Sequence, residues 1–170
     1  MNKMNKQRNN SSTRRRSRGF TLLEVLITLL VISIGLLGLA GLQISGMRAN
    51  QMGFMRSQAI LAAYDMADRM RANPAAAAAG NYDGNPSAAT VDCVGASNAC
   101  TSAEMASYDK DAWLDILTLL PGGAGEVVDD GSDNYTITVR WDEERSGATG
   151  TDCPPKADTD LRCYSLGIAL

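Results

Sequence analysis

The apolar residues of this 170-residue chain change period along its length. After Glu24 no charged residue occurs until Arg48, which leaves 23 uncharged positions from Val25 to Met47. A helix of ~20 apolar residues, rising ~1.5 Å per residue, crosses the ~30 Å hydrocarbon core of a bilayer. Beyond that run, Met52, Met55, Ala59, Ala62, Ala63, Met66 and Met70 recur at spacings of three and four, the stripe of an amphipathic helix. Arg48, Gln51, Arg56, Asp65, Asp68 and Arg69 take much of the remaining surface. No proline lies between Phe20 and Asn73, and Pro74 supplies a stop, so one continuous helix is expected from residue 20 to about 72. Such a helix extends ~80 Å, far more than a bilayer needs, so its second half must leave the membrane.

Downstream the period weakens and then shortens. Ala75 to Ala79, followed by Gly80-Asn81-Tyr82-Asp83-Gly84-Asn85-Pro86, reads as an irregular linker with room for a short helical turn. Tyr108 to Leu120 forms a short amphipathic helix, with Trp113, Ile116, Leu117 and Leu120 on its apolar face and Asp109, Lys110, Asp111 and Asp115 elsewhere. Ser107 or Asp109 is expected to cap it, and Pro121-Gly122-Gly123 to end it. Glu126–Asp129 looks like a first strand and 131–134 like a turn. Tyr135–Trp141 alternates strictly, with Tyr135, Ile137, Val139 and Trp141 on one face. A last strand over Leu161–Leu170 places Tyr164, Leu166, Ile168 and Leu170 on one side. These patterns predict an α+β fold: a long N-terminal helix, transmembrane in its first half, packed by its methionine stripe on an antiparallel sheet of three or four strands.

Charge then sets orientation. Seven of the sixteen basic residues and none of the nineteen acids lie in residues 1–19, which holds the N-terminus in the cytoplasm and puts residues beyond about Arg48 outside. Without that leader the net charge falls from −3 to −10. An acidic surface repels phosphate backbones, so nucleic acid is not expected as a partner. Glu24 is the anomaly, because an acid near the start of a spanning helix is unfavourable. One reading leaves it at the membrane edge, in a first turn where the macrodipole favours it. The other cuts the chain between Gly19 and Phe20 and makes Glu24 the partner of a neighbouring subunit's new N-terminal ammonium.

Arg18-Gly19-Phe20-Thr21-Leu22-Leu23-Glu24-Val25-Leu26 resembles the prepilin signal of type IV pilins and type II secretion pseudopilins. The resemblance implies that a prepilin peptidase cuts after Gly19 and methylates Phe20, and that Glu24 takes part in subunit docking. A secretory signal peptide differs, having a shorter apolar core and a small-x-small cleavage site after it. The 19-residue leader is longer than is usual in the family, and translation from Met4 in place of Met1 leaves the reading unchanged. The family fold is a lollipop. Its expected divisions here are a cleaved leader at 1–19, a transmembrane assembly half of the helix at 20–47, an amphipathic half at 48–73 and a periplasmic head at 74–170.

Four further stretches resemble minor pilins of the PilV type: the segment from Ile34 to Gln43, that from Asp65 to Pro74, and the shorter Leu120-Pro121-Gly122-Gly123 and Val139-Arg140-Trp141-Asp142. The implied function is a minor pilin that initiates pilus assembly in a tip complex and supports adhesion and twitching motility. Its implied partners are the other minor pilins, the major pilin, a tip adhesin, the inner-membrane assembly platform and the inner membrane itself. Before assembly it would wait as a single-pass inner-membrane protein with a periplasmic head, and afterwards reside in the fibre or at its tip. Major pilins often carry a proline where this chain has Gly35, Gly38 and Gly41, which favours a minor component. Those glycines mark either close helix contacts in the membrane or tolerance on a lipid-facing side. The alternatives are a minor pseudopilin of a type II secretion system and an unprocessed membrane-anchored periplasmic binding domain.

Cys93, Cys100, Cys153 and Cys163 form an even set in an exported region, which argues for disulfides. Four cysteines allow three pairings, of which the two local ones are favoured. Zinc is disfavoured, since the chain has no C-x-x-C and no histidine. The lack of histidine also removes the commonest general base, and no phosphate cradle or nucleophile motif occurs, so an enzyme is not expected and no cofactor is implied. The acids at Asp129-Asp130 and Asp142-Glu143-Glu144 lack the alternating spacing of a calcium loop and read as solvated loop residues.

Overall fold

The computed structural model describes residues 19–89, 91–94, 99–131 and 134–170. Helix α1 spans Leu22–Ala72, α2 Pro74–Ala78 and α3 Ser102–Thr118, and strands β1 (Ala124–Asp129), β2 (Asn134–Trp141) and β3 (Arg162–Ala169) complete the order. The chain divides into two compact units after Ser45. The leader up to residue 18, and Ser132 and Asp133 of the expected turn, lie outside the described residues.

In the first unit α1 begins at Leu22, two residues later than expected, because Thr21 caps it: its Oγ1 accepts from the Glu24 N–H at 3.2 Å. Every described side chain here is exposed, and the segment is long and apolar enough to cross a membrane. Two of its hydroxyls are turned back on their own helix. Thr28 donates to the Val25 carbonyl at 2.8 Å and Ser33 to the Leu29 carbonyl at 2.7 Å, so neither requires water.

In the second unit the methionine and alanine stripe of α1 is buried as the periodicity predicts. Met55, Ala59, Ala62, Ala63, Met66, Ala67 and Met70 enter one core with Trp113 and Leu117 of α3, Val127 of β1, and Tyr135, Ile137 and Val139 of β2. Met52 is the exception; it is 38% exposed and lies outside this core. Four alanines in the stripe let the helix approach closely. Trp113 fills the space between layers, its indole N–H donating to the Ala62 carbonyl at 2.8 Å. Gly125 in β1 is part of the same fit, because a Cβ there would strike the Trp113 ring.

The three strands are antiparallel in the order β1-β2-β3, with Ile137 opposite Val127 on one side and Leu166 on the other. The central strand buries Tyr135, Ile137, Val139 and Trp141 as its alternation implies, and Thr138 on the opposite face as well. The outer edge of β1 is covered at one point: the Gly84 N–H donates to the Val127 carbonyl at 2.7 Å, and the return bond is 3.1 Å.

The linker contains the short helical turn for which its sequence leaves room, α2, with Ala76 and Ala77 buried. Other boundaries differ from expectation: α3 starts six residues before Tyr108 and β1 two residues before Glu126. Neither Ser107 nor Asp109 is the cap. Thr101 and Glu104 form a reciprocal capping box, the Thr101 Oγ1 accepting from the Glu104 N–H at 3.3 Å while the Glu104 carboxylate accepts from the Thr101 N–H at 2.8 Å. The Thr101 N–H and the Thr101 hydroxyl, both donating to the Glu104 carboxylate, hold it below its ordinary pKa.

Candidate assembly surface

Gly19 and Phe20 are exposed and precede the first helical turn, so the bond between them lies in accessible, non-helical chain. Phe20 is 82% exposed. Glu24 stands in the first turn of α1, exposed, with no hydrogen bond or ion pair to its carboxylate among the described residues. An amino group freed at Phe20 would be four residues away in sequence. Below Glu24 the side chains of Leu26, Ile27, Leu30, Val31, Ile34 and Leu37 are uncovered, along with the rest of that segment. Each such side chain gains ~1.5–3 kcal/mol on full burial. Gly35, Gly38 and Gly41 fall on one side of this helix, and a Cβ at any of them would meet nothing within 4 Å. Packing inside the chain therefore does not require glycine there.

In the head, the sequence placed Asp65, Arg69 and Asp109 on polar faces, but the fold brings them together. The Arg69 Nε lies 2.7 Å from Asp65 Oδ2, and another guanidinium nitrogen lies 3.1 Å from Asp109 Oδ1. Burial opposes the Arg69 charge, yet the two carboxylates outweigh it and raise its pKa. The buried Tyr82 hydroxyl donates to Asp109 Oδ2 at 2.5 Å, and Asn73 Nδ2 reaches both the Tyr82 oxygen at 3.3 Å and the Ser102 carbonyl at 2.8 Å. Burial and then the Asp109 carboxylate push the Tyr82 phenol well above its usual range. Chemically the cluster is a clamp: it ties α1, the linker and the start of α3 with no nucleophile aimed at open space.

Asp142 corrects another expectation. It is a buried side chain, not a solvated loop acid, and its carboxylate accepts from the Ser146 N–H at 3.0 Å and the Gly147 N–H at 2.7 Å. Burial works against its charge, but these amide donors prevail and lower its pKa. Glu143 and Glu144 point to Arg162 at 3.4 and 3.9 Å. Among the described residues no group of three potential ligands is placed to hold a metal ion. Cys93 is bonded to Cys100 and Cys153 to Cys163. The second bond fastens the 151–160 loop to β3, while the first closes over residues of which 95–98 lie outside the described set.

Two family models match the chain. The prokaryotic N-terminal methylation motif covers residues 14–40, and the type IV pilin Tt1218 model covers residues 41–111. Together they run from the basic leader through the long helix to the middle of α3. No curated protein and no solved structure gives a significant match.

Proposed function

Because the chain belongs to the type IV pilin-like family, we propose that it is a minor pilin of the PilV kind that helps initiate pilus assembly. Prepilin peptidase cuts after Gly19 and methylates the new amino group of Phe20. The apolar half of α1 then anchors the subunit in the inner membrane with its head in the periplasm. On extraction into the fibre, Glu24 pairs with the N-terminal ammonium of a neighbouring subunit. The uncovered side chains below it exchange lipid for the helices of other pilins. The head, rich in acids, selects partners among the other minor pilins, the major pilin and a tip adhesin, and adhesion and twitching motility follow from the assembled fibre.

One observation carries this reading: among the described residues Glu24 is a carboxylate without an ion pair, in the Thr21-capped first turn of an apolar helix that none of them covers. Such a charge is tolerable in low dielectric only with a well-placed cation. The direct test is Glu24→Gln and Glu24→Ala. Processing at Gly19 should persist in both, while incorporation into sheared fibres should drop by at least ~10-fold, the cost of ~1.4 kcal/mol or more from an ammonium left without its carboxylate. Normal incorporation of either variant would end the ion-pair account. Loss of protein secretion with intact pili, on deletion of the whole chain, would move the subunit to a secretion pseudopilus.

A further inference from the structure

Nine basic side chains follow Gly19 in sequence. Arg69, Arg71, Arg140, Lys156 and Arg162 sit in ion pairs, and the Lys110 ammonium donates to the Asp83 carbonyl at 2.8 Å. The other three, Arg48, Arg56 and Arg145, are exposed and have no ion pair among the described residues. Two of them meet. Arg48 and Arg145 line one groove of about 450 Å³ together with Gln51, Met52, Glu143 and Glu144. Arg145 is held there in the left-handed region, at φ 54°, by the turn that the Asp142 carboxylate organises.

The groove therefore carries both signs of charge. Its two guanidinium groups have the chemistry of phosphate ligands. Glu143 is largely covered and drawn toward Arg162, whereas the Glu144 side chain is 72% exposed and its contact to Arg162 is long, at 3.9 Å. Arg48 is also the first charge after 23 uncharged residues, a helical length of ~35 Å that matches the hydrocarbon core and its edge. That places Arg48 at the level of phospholipid headgroups, with the exposed Met47 and Met52 beside it.

We propose that this groove binds the headgroup of an amine-bearing phospholipid, its phosphate between Arg48 and Arg145 and its primary ammonium against Glu144. A purely anionic headgroup would meet two carboxylates, and a quaternary ammonium has no N–H to give Glu144. The contact fixes the depth and tilt of the head while the subunit waits in the membrane. It rests on membrane anchoring of the helix and not on the assembly role of Glu24.

The full chain in nanodiscs provides the test, with hydrogen–deuterium exchange read at the backbone of residues 143–147. Exchange there should slow ~5-fold in phosphatidylcholine doped with phosphatidylethanolamine relative to phosphatidylcholine alone, the scale of an exposed charge contact. Arg48→Gln with Arg145→Gly should abolish the lipid dependence; the glycine accepts the left-handed backbone, and unchanged exchange in β2 reports an intact head. Glu144→Gln should erase the distinction between the two lipids. Equal exchange in both lipids for the natural chain, or slowing with phosphatidylglycerol only, would overturn the proposal. Glu24→Gln should keep the lipid response, so this inference and the assembly reading fail separately.

Discussion

The Trp113 indole N–H donates to the Ala62 carbonyl across 51 positions of sequence, at 2.8 Å and with both groups buried. The bond fixes both the rotation of α1 about its axis and the depth at which α3 packs against it. It also accounts for Gly125, the only residue that leaves room for the ring at that point of β1. Trp113→Phe should cost ~1–3 kcal/mol, combining a lost hydrogen bond with a small cavity, and Trp113→Ala ~3–5 kcal/mol. Urea unfolding of the detergent-solubilised chain, followed by near-ultraviolet circular dichroism, measures both.

Tyr82 makes the fold sensitive to alkali. Burial and the Asp109 carboxylate raise its folded pKa above the ordinary phenol value of ~10. Its contribution is complete below that ordinary value. Above it the unfolded chain releases a proton that the folded chain keeps, so stability declines as pH rises. The natural protein should lose stability between about pH 10 and 12 more steeply than Tyr82→Phe. Unfolding midpoints of the two proteins, compared at pH 8, 10 and 11, check the difference in slope; parallel curves would contradict it.

The two disulfides should differ in consequence. Cys163 lies within β3, opposite Arg140, so the Cys153–Cys163 bond holds a loop to the sheet. The Cys93–Cys100 bond joins residues outside any helix or strand. Replacing Cys153 and Cys163 by serine should cost ~2–3 kcal/mol, the loop-closure entropy of a ring of this size. The same change at Cys93 and Cys100 should act mainly on local protease sensitivity, because little of the core depends on that ring. Limited proteolysis beside thermal melting separates the two effects.

The pattern of legible and hidden features follows from the range of the interactions involved. The methionine stripe and the alternation of Tyr135–Trp141 are local periodicities, and the fold buries them as the period predicts. Glu24 and the Gly19–Phe20 junction are read from a contiguous motif. Asp109 reads in sequence as a polar-face or capping residue because its partners come from 27 and 40 positions away, and nothing in its own helix announces an arginine from α1. The early start of α3 was present in sequence as Thr101-x-x-Glu104, a capping-box signature, but apolar spacing alone is weak over Ser102–Ser107. Met52 keeps the three-and-four spacing yet lies one turn short of the core, where the buried stripe begins at Met55. Asp142 reads in sequence like its acidic neighbours, because its burial depends on a turn that folds Ser146 and Gly147 back on it.

The central claim is that this chain is processed as a pilin before it assembles. The intact mass of the protein purified from membranes under non-reducing conditions tests that claim most directly. The account expects a species that begins at Phe20, carries one added methyl group on its N-terminus and lacks four hydrogens for the two disulfides. An uncleaved chain beginning at Met1 or Met4 would contradict it, leaving a membrane-anchored domain with no freed ammonium for Glu24 to meet.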